Sequence, residues 1–497
     1  MRTQALSTRA STALVLLVAL AVHARTVAFG FTGLDDRDLI VGDQAFLAAP
    51  ANLLRVFGRS YLHVVDPAHA YWRPLVTASY VLDAQWSGAQ PWGYHATNVV
   101  LYAIASALVL ALLRRFGLGR GVALAGALVF AVHPALASAV AWIPGRNDSL
   151  LAVMALASWV LLRERRWAAH LVFFALALMT KETALALPVL WGVELVGGQG
   201  RRERARWLVA AGWLALVAAR FLVHPGAPHA TAAELLANLP VVPIALGKLV
   251  LPVKPTVLAV VGDLSVWPGA AAAVALAVAA WRLPRARRRV LAFGALAFLL
   301  FLAPALAVPG TLVLDQRFVL PALGVLVVAG EIVRALRPEP RVLAAFAGVG
   351  VAALALVTVG FEGSFREPLA FAREAVAGSP RSPLAHFCLG QVEQRAGKDD
   401  RALVEYRTAL SLGPAEVVHN DIAVIAMKDG HWADAEAELR AELALNPGYA
   451  TAEYNLAIVL RREGRRAEAC DAVKRAVGGS LEGDLAATRE RDRDCAP

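Results

Sequence analysis

The amino-acid sequence predicts an all-α protein, a polytopic membrane helical bundle followed by a soluble helical-repeat domain. Of its 497 residues, 58% are hydrophobic and only 18% are charged, which is too apolar for an ordinary water-soluble globular protein. Long apolar runs recur up to residue 361, each close to the roughly 20 residues that a membrane-spanning helix needs. A repeat with a period of 33 to 34 residues follows. These observations exclude a soluble enzyme.

Charge is distributed unevenly between the two parts of the chain. The net charge is +10, yet residues 1–361 hold 31 Lys and Arg against 16 Asp and Glu, whereas residues 362–497 hold 18 against 23. The body therefore carries +15 and the tail −5. Basic residues of membrane proteins mark cytoplasmic loops, so we interpret the excess as a topology signal and expect no nucleic-acid partner. We place the domain boundary between residues 361 and 362.

The first apolar run, 13–31, follows two arginines and lacks a small-residue cleavage site, which predicts an uncleaved signal anchor with a cytoplasmic amino end. Lys181 and Glu182 divide the run 167–196 into two short halves. Three prolines in the run 235–253 favour a kinked or partly inserted helix. The other apolar runs lie at 98–113, 121–140, 149–162, 207–223, 268–281, 290–308, 318–333 and 342–361.

Five arginine clusters determine the predicted orientation of these helices, because the positive-inside bias places all of them in the cytoplasm. This requires two crossings between Arg166 and Arg201 and excludes a full crossing by 235–253. We expect about eleven crossings in a cell inner membrane, with the repeat tail on the periplasmic side. The clusters are Arg114/Arg115/Arg120, Arg163/Arg165/Arg166, Arg201/Arg202/Arg204/Arg206, Arg282/Arg285/Arg287/Arg288/Arg289 and Arg334/Arg337/Arg341.

The tail repeats with the period of tetratricopeptide repeats. Gly397, Gly430 and Gly464 recur at spacings of 33 and 34 residues, and Pro414 and Pro447 close the first two units. We predict three helix-turn-helix units near 383–416, 417–450 and 451–480. Such a domain either presents a groove to a protein partner or serves as a helical spacer that stabilises the body.

The three cysteines, Cys388, Cys470 and Cys495, all lie in this tail and show no CxxC spacing. They exclude a zinc site and a disulfide scaffold. One bridge in an oxidising compartment stays compatible with their number.

The outer loop 32–92 is the longest polar stretch of the body and opens with Asp35 and Asp36. Adjacent carboxylates at the mouth of a membrane helix are costly unless they have a partner or a function. A partly desolvated carboxylate there would be a base for an acceptor hydroxyl, since burial raises its pKa. A solvated turn that ends the helix is the alternative.

Four cations of the predicted outer side point to phosphate binding. They are Arg73, Arg146, Lys181 and Arg317. Lys181 lies where two short apolar halves meet, so its ammonium is expected to be recessed and to need an anion. Guanidinium and ammonium groups at such a depth suit a lipid phosphate. The alternative for each cation is snorkelling or local pairing, Lys181 with Glu182 and Arg146 with Asp148.

His95 and His133 are the candidate histidines of the same side. Either could donate to a phosphate or position a carboxylate, although a histidine before Pro134 is also typical of a helix stop. The separated histidines and acids show no metal-ligand spacing, so we expect no metal site and no cofactor.

Six motifs occur in order along the chain, namely LDDRD, YWRPL, GYHATN, HPALASAVAWIPGRNDSLLA, TKETALALP and RFVLPALG. Together with the repeats that follow, they resemble one family, the bacterial relatives of the transmembrane and tetratricopeptide-repeat protein O-mannosyltransferases. The resemblance implies a GT-C fold and inverting transfer of a sugar from a polyprenyl-phosphate donor to a hydroxyl of an exported protein or glycan. It implies that Asp35 is the base, that Asp36 lies in the acceptor site, that Arg146, Lys181 and Arg317 bind the donor phosphate, and that Arg73 and His95 shape the cavity.

Two departures from the family pattern bear on the acceptor. Ser138 stands where these relatives often carry Glu, and Gln316 precedes Arg317 where many have an acidic residue. A non-enzymatic membrane scaffold that recruits an exported protein through its repeats is the main alternative. The same chemistry on a lipid or envelope-glycan acceptor is another.

Overall fold

The computed structural model describes residues 6–61, 71–197, 203–223, 230–252, 255–415, 417–477 and Cys495. Its contacts separate two units, Met1–Phe371 and Ala372–Pro497. We call them the membrane unit and the repeat unit and describe each by itself. The division falls ten residues after the domain boundary expected from the charge pattern.

Helices form almost all of the membrane unit. Pro74, Pro91 and Pro340 each begin one, because the first helical turn has no internal partner for a backbone N–H. One short antiparallel pair, β1 (Ala259–Val260) with β2 (Leu312–Val313), is also described. The helices are α1 Thr8–His23, α2 Gln44–Leu47, α3 Pro74–Ser87, α4 Pro91–Arg115, α5 Arg120–Ala131, α6 Ser138–Ala141, α7 Arg146–Arg163, α8 Trp167–Leu178, α9 Leu187–Gly197, α10 Glu203–Val223, α11 Ala232–Ala237, α12 Val241–Val250, α13 Trp267–Arg282, α14 Arg285–Leu302, α15 Val319–Leu336, α16 Pro340–Glu362 and, across the division, α17 Pro368–Gly378.

Seven helices among the described residues are long and apolar enough to cross a membrane, or eight if the bent pair 120–131 and 134–141 is one span. The multi-pass architecture is thereby confirmed, but the count is below the eleven crossings expected. Helix length explains much of the difference, since α8, α9 and α13 have only 12, 11 and 16 residues. Helix α7 is long enough but carries Arg146, Asp148 and Arg163.

The proline-containing run differs from its prediction. Helices α11 and α12 together make a 19-residue candidate span, Ala232–Val250, where a partly inserted segment was expected. Pro240 is the amino cap of α12 and Pro243 falls in its first turn. At these positions the missing backbone N–H costs no helical hydrogen bond, so the prolines start the helix instead of breaking it.

Four of the five arginine clusters meet at one end of the helices. Arg334, in the last turn of α15, donates to the carbonyl of Gly117 between α4 and α5 at 3.4 Å. Arg287 at the start of α14 pairs with Glu331 of α15 at 2.9 Å. Arg115 pairs with Glu164, just after α7. These four sequence clusters are therefore neighbours in space as well, whereas Arg201 and Arg202 of the fifth lie outside the described residues.

Two apolar cores support the membrane unit. The larger one lies between the long helices and includes Trp159 and Phe130. A smaller one underlies the outer loop, where Ile40 and Val56 pack with Tyr80 of α3. The described part of the loop is thus a packed layer that fixes the residues at its start.

After α17, the described residues of the repeat unit form three helix pairs, which confirms the helical-repeat prediction. The end of the third predicted repeat, 478–480, lies outside the described residues. Gly397, Gly430 and Gly464 turn the chain inside the pairs with φ of 74°, 81° and 83°, values that favour glycine. Cys470 and Cys495 form a disulfide bond, and Cys388 is a buried free thiol. The helices are α18 Pro383–Arg395, α19 Asp399–Leu412, α20 Val418–Lys428, α21 Trp432–Leu445, α22 Ala450–Arg462 and α23 Arg466–Val477.

Candidate active site

The predicted site residues lie at the helix ends away from the arginine clusters. Asp148 is in the first turn of α7, whose last turn holds Arg163. Arg317 precedes α15, whose last turn holds Arg334. The cations of the predicted site and those of the arginine clusters therefore lie at opposite ends of the same helices.

Asp36 fixes the turn that follows α1. Its carboxylate accepts hydrogen bonds from the backbone N–H of Thr32 at 2.6 Å, from the Thr32 hydroxyl at 2.9 Å and from the Gly33 N–H at 3.0 Å. The Trp142 indole N–H donates to the same hydroxyl at 3.1 Å. Asp36 is 1% exposed, and burial raises its pKa to about 6 in spite of these donors. It is placed to hold the turn in shape.

Asp35 is half-buried and differently placed. Apart from its own backbone N–H, no donor within the described part of the chain makes a hydrogen bond to its carboxylate. Burial raises the pKa of Asp35 to about 7, and the charges of Asp36 and Asp38 add to the shift, while Arg73 opposes it. A carboxylate that titrates near neutrality, and whose oxygens accept no hydrogen bond from another described residue, is suited to accept a proton.

Six charged side chains, Arg73 among them, come together from five separate parts of the membrane unit. We call them the charged cluster. Backbone pairing assists, since the N–H of Leu75 donates to the carbonyl of Met179 at 3.2 Å and joins the start of α3 to the end of α8. The cluster consists of Arg73, Asp148, Lys181, Glu182, Arg220 and Arg317.

Arg73 connects the charged cluster to Asp35. Its guanidinium donates to Glu182 at 3.0 Å and lies over the rings of Tyr61 and Tyr71, 5.3 and 4.9 Å from their centroids. It also interacts electrostatically with Asp35. The base candidate and the cations are thus parts of one site.

Lys181 is held by Asp148. The ammonium donates to both carboxylate oxygens, at 2.6 and 2.7 Å, and both side chains are less than 10% exposed. This pairing differs from the local Lys181–Glu182 pair considered from the sequence. Arg317 interacts electrostatically with Asp148, but no described residue forms a hydrogen bond or ion pair with its guanidinium. Arg317 therefore retains donors for a ligand.

Arg220 is a member of the cluster that sequence reasoning missed. It lies near the end of α10, 8% exposed, with its guanidinium 4.8 Å from the centroid of the Trp72 ring. It interacts with Glu182 and Arg73. The sequence did contain a signal for it, because Arg220 lies inside the apolar run 207–223, at the end opposite the arginine cluster 201–206. A charged side chain in such a run is energetically costly unless it has a function.

Arg146 lies outside the charged cluster, in contrast to its expected phosphate role. It is fully buried, pairs with Asp83 at 2.5 Å and donates to Asn98 at 2.7 Å. Further bonds reach the Ser79 hydroxyl at 3.1 Å and the Tyr94 carbonyl at 2.6 Å. With its donors used by α3 and α4, Arg146 joins three helices and leaves no group for a substrate.

The two histidines also have structural partners. His95 Nε2 is 3.2 Å from the carbonyl of Gly30, which precedes the Asp36 turn. His133 Nε2 is 3.1 Å from the Leu249 carbonyl, and its Nδ1 accepts from the N–H of Ala135 at 3.3 Å. His133 thus acts as the helix stop considered as the alternative, and His95 supports the turn.

Ser138, where relatives often carry Glu, lies 4% exposed in a small cavity with Trp142 and Asp315. Asp315 pairs with Lys248 at 2.7 Å. Within the ranges that the structure describes, no three His, Cys, Asp or Glu side chains gather as they would around a metal ion. The groups that the described site offers for chemistry are the Asp35 carboxylate and the cations of the charged cluster.

Comparison with known proteins supports the motif resemblance. Protein O-mannosyl-transferase Tmtc1 of Drosophila melanogaster is 36% identical over 185 residues, which are 35% of this chain and 21% of that protein. Tmtc2 of the same organism is 30% identical over 179 residues, 32% of this chain and 19% of that protein. The resemblance is confirmed. The chain spans about a fifth of the length of these curated relatives.

Other comparisons add little. Protein O-mannosyl-transferase TMTC2 of Homo sapiens is 40% identical over 82 residues, 16% of this chain and 10% of that protein. No family model matches the chain. A solved structure described as the crystal structure of APC/C hetero-tetramer Cut9-Hcn1 matches at 13% identity over 90% of each chain, but its TM-score of 0.26 is too low to carry an argument.

Proposed function

We propose that this protein is an integral-membrane inverting glycosyltransferase that moves a sugar, mannose by analogy with the named relatives, from a polyprenyl-phosphate donor to a hydroxyl of a protein acceptor. The observation that carries the proposal is the link through Arg73 between the open Asp35 carboxylate and the charged cluster. A base beside a set of buried cations is what a transfer from a lipid phosphate requires.

The reaction proceeds by direct displacement. Asp35 accepts the proton of the acceptor hydroxyl while the hydroxyl oxygen forms a bond to the anomeric carbon of the sugar. The bond between that carbon and the phosphate oxygen breaks, and the polyprenyl phosphate leaves with the electron pair. The configuration at the anomeric carbon is thereby inverted once. Positioned general bases contribute about 10²- to 10⁴-fold to such steps.

The charged cluster stabilises the leaving phosphate. It has four cations, Arg73, Lys181, Arg220 and Arg317, against the two carboxylates of Asp148 and Glu182. The excess positive charge suits an anion, and Arg317 has open donors for it. Cations fixed in a buried site stabilise developing negative charge without reorganisation, which is the strongest electrostatic contribution available to an enzyme.

We place the site and the repeat unit on the periplasmic side of an inner membrane. Support comes from the arginine clusters at the other end of the helices. The Cys470–Cys495 disulfide adds to it, because such bonds persist in oxidising compartments. The repeats would then bind or position the exported acceptor. Protease digestion of sealed vesicles tests the orientation: repeats digested only in cytoplasm-exposed vesicles would contradict it.

The transfer reaction is tested in proteoliposomes with radiolabelled polyprenyl-phosphate mannose and a serine- and threonine-rich acceptor peptide. The control is Asp263→Asn, which makes the same exchange in the short turn after β1, outside the charged cluster. We expect wild type and this control to transfer label, and Asp35→Asn to be at least 100-fold slower. Equal rates in wild type and Asp35→Asn would refute the base assignment. Release of no polyprenyl phosphate by wild type, with peptide, lipid or glycan acceptors, would instead support the non-enzymatic scaffold.

A further inference from the structure

A lateral groove of about 530 Å³ lies between three helices of the membrane unit. Apolar side chains of α5 and α16 form its walls, among them Leu124, Leu128, Leu343 and Val351, and Leu6 before α1 contributes at one end. Helix α16 is a candidate span and α5 belongs to the bent candidate pair. The groove therefore faces the bilayer, where its natural occupant is a lipid chain.

Glycine creates much of the space. Gly348 of α16 lines the groove, and a Cβ at this position would meet no atom within 4 Å. Gly121 at the start of α5 lines it as well, and a Cβ there would make only an ordinary contact with Leu343 at 3.5 Å. The opening thus results from absent side chains on two helices, so the backbone would tolerate a side chain that fills it.

One end of the groove is cationic. Arg120 lines it there, together with Pro338 and Pro340, which lie in the arginine-rich turn between α15 and α16. Arg114 interacts with Arg120 electrostatically, and its Nε and Nη2 atoms are buried without a hydrogen-bond partner among the described residues. The two neighbouring positive charges repel each other, and an anion bound beside them would relieve that repulsion and accept from the unused Arg114 donors.

We infer that this groove binds one anionic phospholipid, with an acyl chain along α5 and α16 and the phosphate at Arg120 and Arg114. Basic pockets between membrane helices are known to select anionic headgroups, each arginine contributing about 1 kcal/mol, or roughly fivefold in affinity. A zwitterionic lipid would fill the apolar part but would leave the arginines uncompensated. The site is at the arginine-rich end, opposite the proposed transfer site, and does not depend on that reaction.

Native mass spectrometry of the full-length protein in detergent tests the inference. The protein is titrated with phosphatidylglycerol and, separately, with phosphatidylethanolamine of the same acyl chains, and the occupancy of the first lipid bound is compared. We expect wild type to prefer phosphatidylglycerol by about fivefold or more. In Arg120→Gln that preference should fall by about fivefold, and in Gly348→Leu binding of the first lipid should weaken for both lipids.

Two matched variants control for nonspecific effects. Gly350→Leu places the same side chain on α16, also at a glycine whose Cβ would meet no atom within 4 Å, but outside the groove lining. Arg285→Gln removes an exposed arginine of the same end of the molecule. Both should bind like wild type, and thermal unfolding confirms that all variants are folded. Unchanged first-lipid binding in Gly348→Leu, or an equal loss in Gly350→Leu, would overturn the inference.

Discussion

Lys181 and Asp148, 33 residues apart in sequence, form a buried ion pair in which the ammonium contacts both carboxylate oxygens. Removing one partner leaves the other charge buried and alone, which is more costly than removing both. We expect Asp148→Asn to lower the free energy of unfolding by about 3 kcal/mol. The double variant with Lys181→Met should recover most of that stability but not the transfer activity. Thermal unfolding in detergent measures this, and purely additive effects would argue against the pair.

The adjacent aspartates should have opposite phenotypes. Asp36→Asn replaces one acceptor oxygen by an NH₂ group that faces backbone N–H donors. It should therefore lower the free energy of unfolding by about 1 to 3 kcal/mol and lower the unfolding temperature. Asp35→Asn removes a carboxylate that accepts no hydrogen bond from another described residue, so it should not lower that temperature, yet it should slow transfer at least 100-fold. Thermal scans and transfer assays on both variants separate the roles; an unfolding temperature that falls equally in both would mean that Asp35 is structural too.

The pH dependence follows from the raised pKa of Asp35. Since the base form is required, transfer should increase as the pH rises through about 7. Stability should change in the opposite direction: a pKa of about 7 in the folded protein against 3.8 for the unfolded chain means that the folded form holds the proton longer. The contribution of Asp35 to stability is therefore lost as pH rises from about 4 to about 7. In Asp35→Asn this part of the decline should be absent, which urea titration at several pH values measures.

Gly324 lies where α14 and α15 cross. A Cβ at this position would be 2.4 Å from the carbonyl oxygen of Gly294 and 2.5 Å from the backbone nitrogen of Phe298. Because these are backbone atoms, the two helices must move apart to make room for a Cβ. We therefore expect Gly324→Ala to lower the free energy of unfolding by about 1 to 3 kcal/mol. Gly360→Ala on α16, where a Cβ meets no atom within 4 Å, is the control and should not lower the unfolding temperature. Equal temperatures for the two variants would contradict the close crossing.

Val417 adopts a left-handed backbone conformation, with φ of 74°, at the start of the second repeat. For a β-branched residue this conformation is strained by about 1 to 2 kcal/mol. Its N–H donates to Glu442 at 2.8 Å, a bond that any residue can keep. We expect Val417→Gly to stabilise the repeat unit by about 1 kcal/mol, measured by chemical unfolding. Val404→Gly, in the exposed middle of α19, should instead destabilise it.

The sequence was most informative where local patterns determine structure. The glycine period located the three helix pairs, and the arginine clusters indicated which helix ends meet. The prolines near α12 were expected to interrupt a helix, but they lie at its start. Whether a proline breaks or begins a helix depends on where the first turn of the helix falls. The eleven crossings expected exceed the seven or eight candidate spans among the described residues, because an apolar run in the sequence does not determine the length of the helix that it forms.

Charge partners were the part of the site that sequence reasoning could not supply. Arg146 and Lys181 look alike as lone cations near the outer side, yet one is saturated by Asp83 and Asn98 while the other joins the charged cluster. Such pairings connect residues from 33 to 109 positions apart. They depend on how helices pack, which neither spacing nor composition encodes.

The Cys470–Cys495 bond joins two residues 25 positions apart, and Cys495 packs against the apolar core of the last described helix pair. Closing a loop of this length removes chain entropy worth roughly 3 kcal/mol from the unfolded state. That contribution exists only after oxidation. The third repeat is accordingly less stable on the reducing side of a membrane than on the oxidising side, so the rigidity of the surface that it presents depends on the compartment in which it folds.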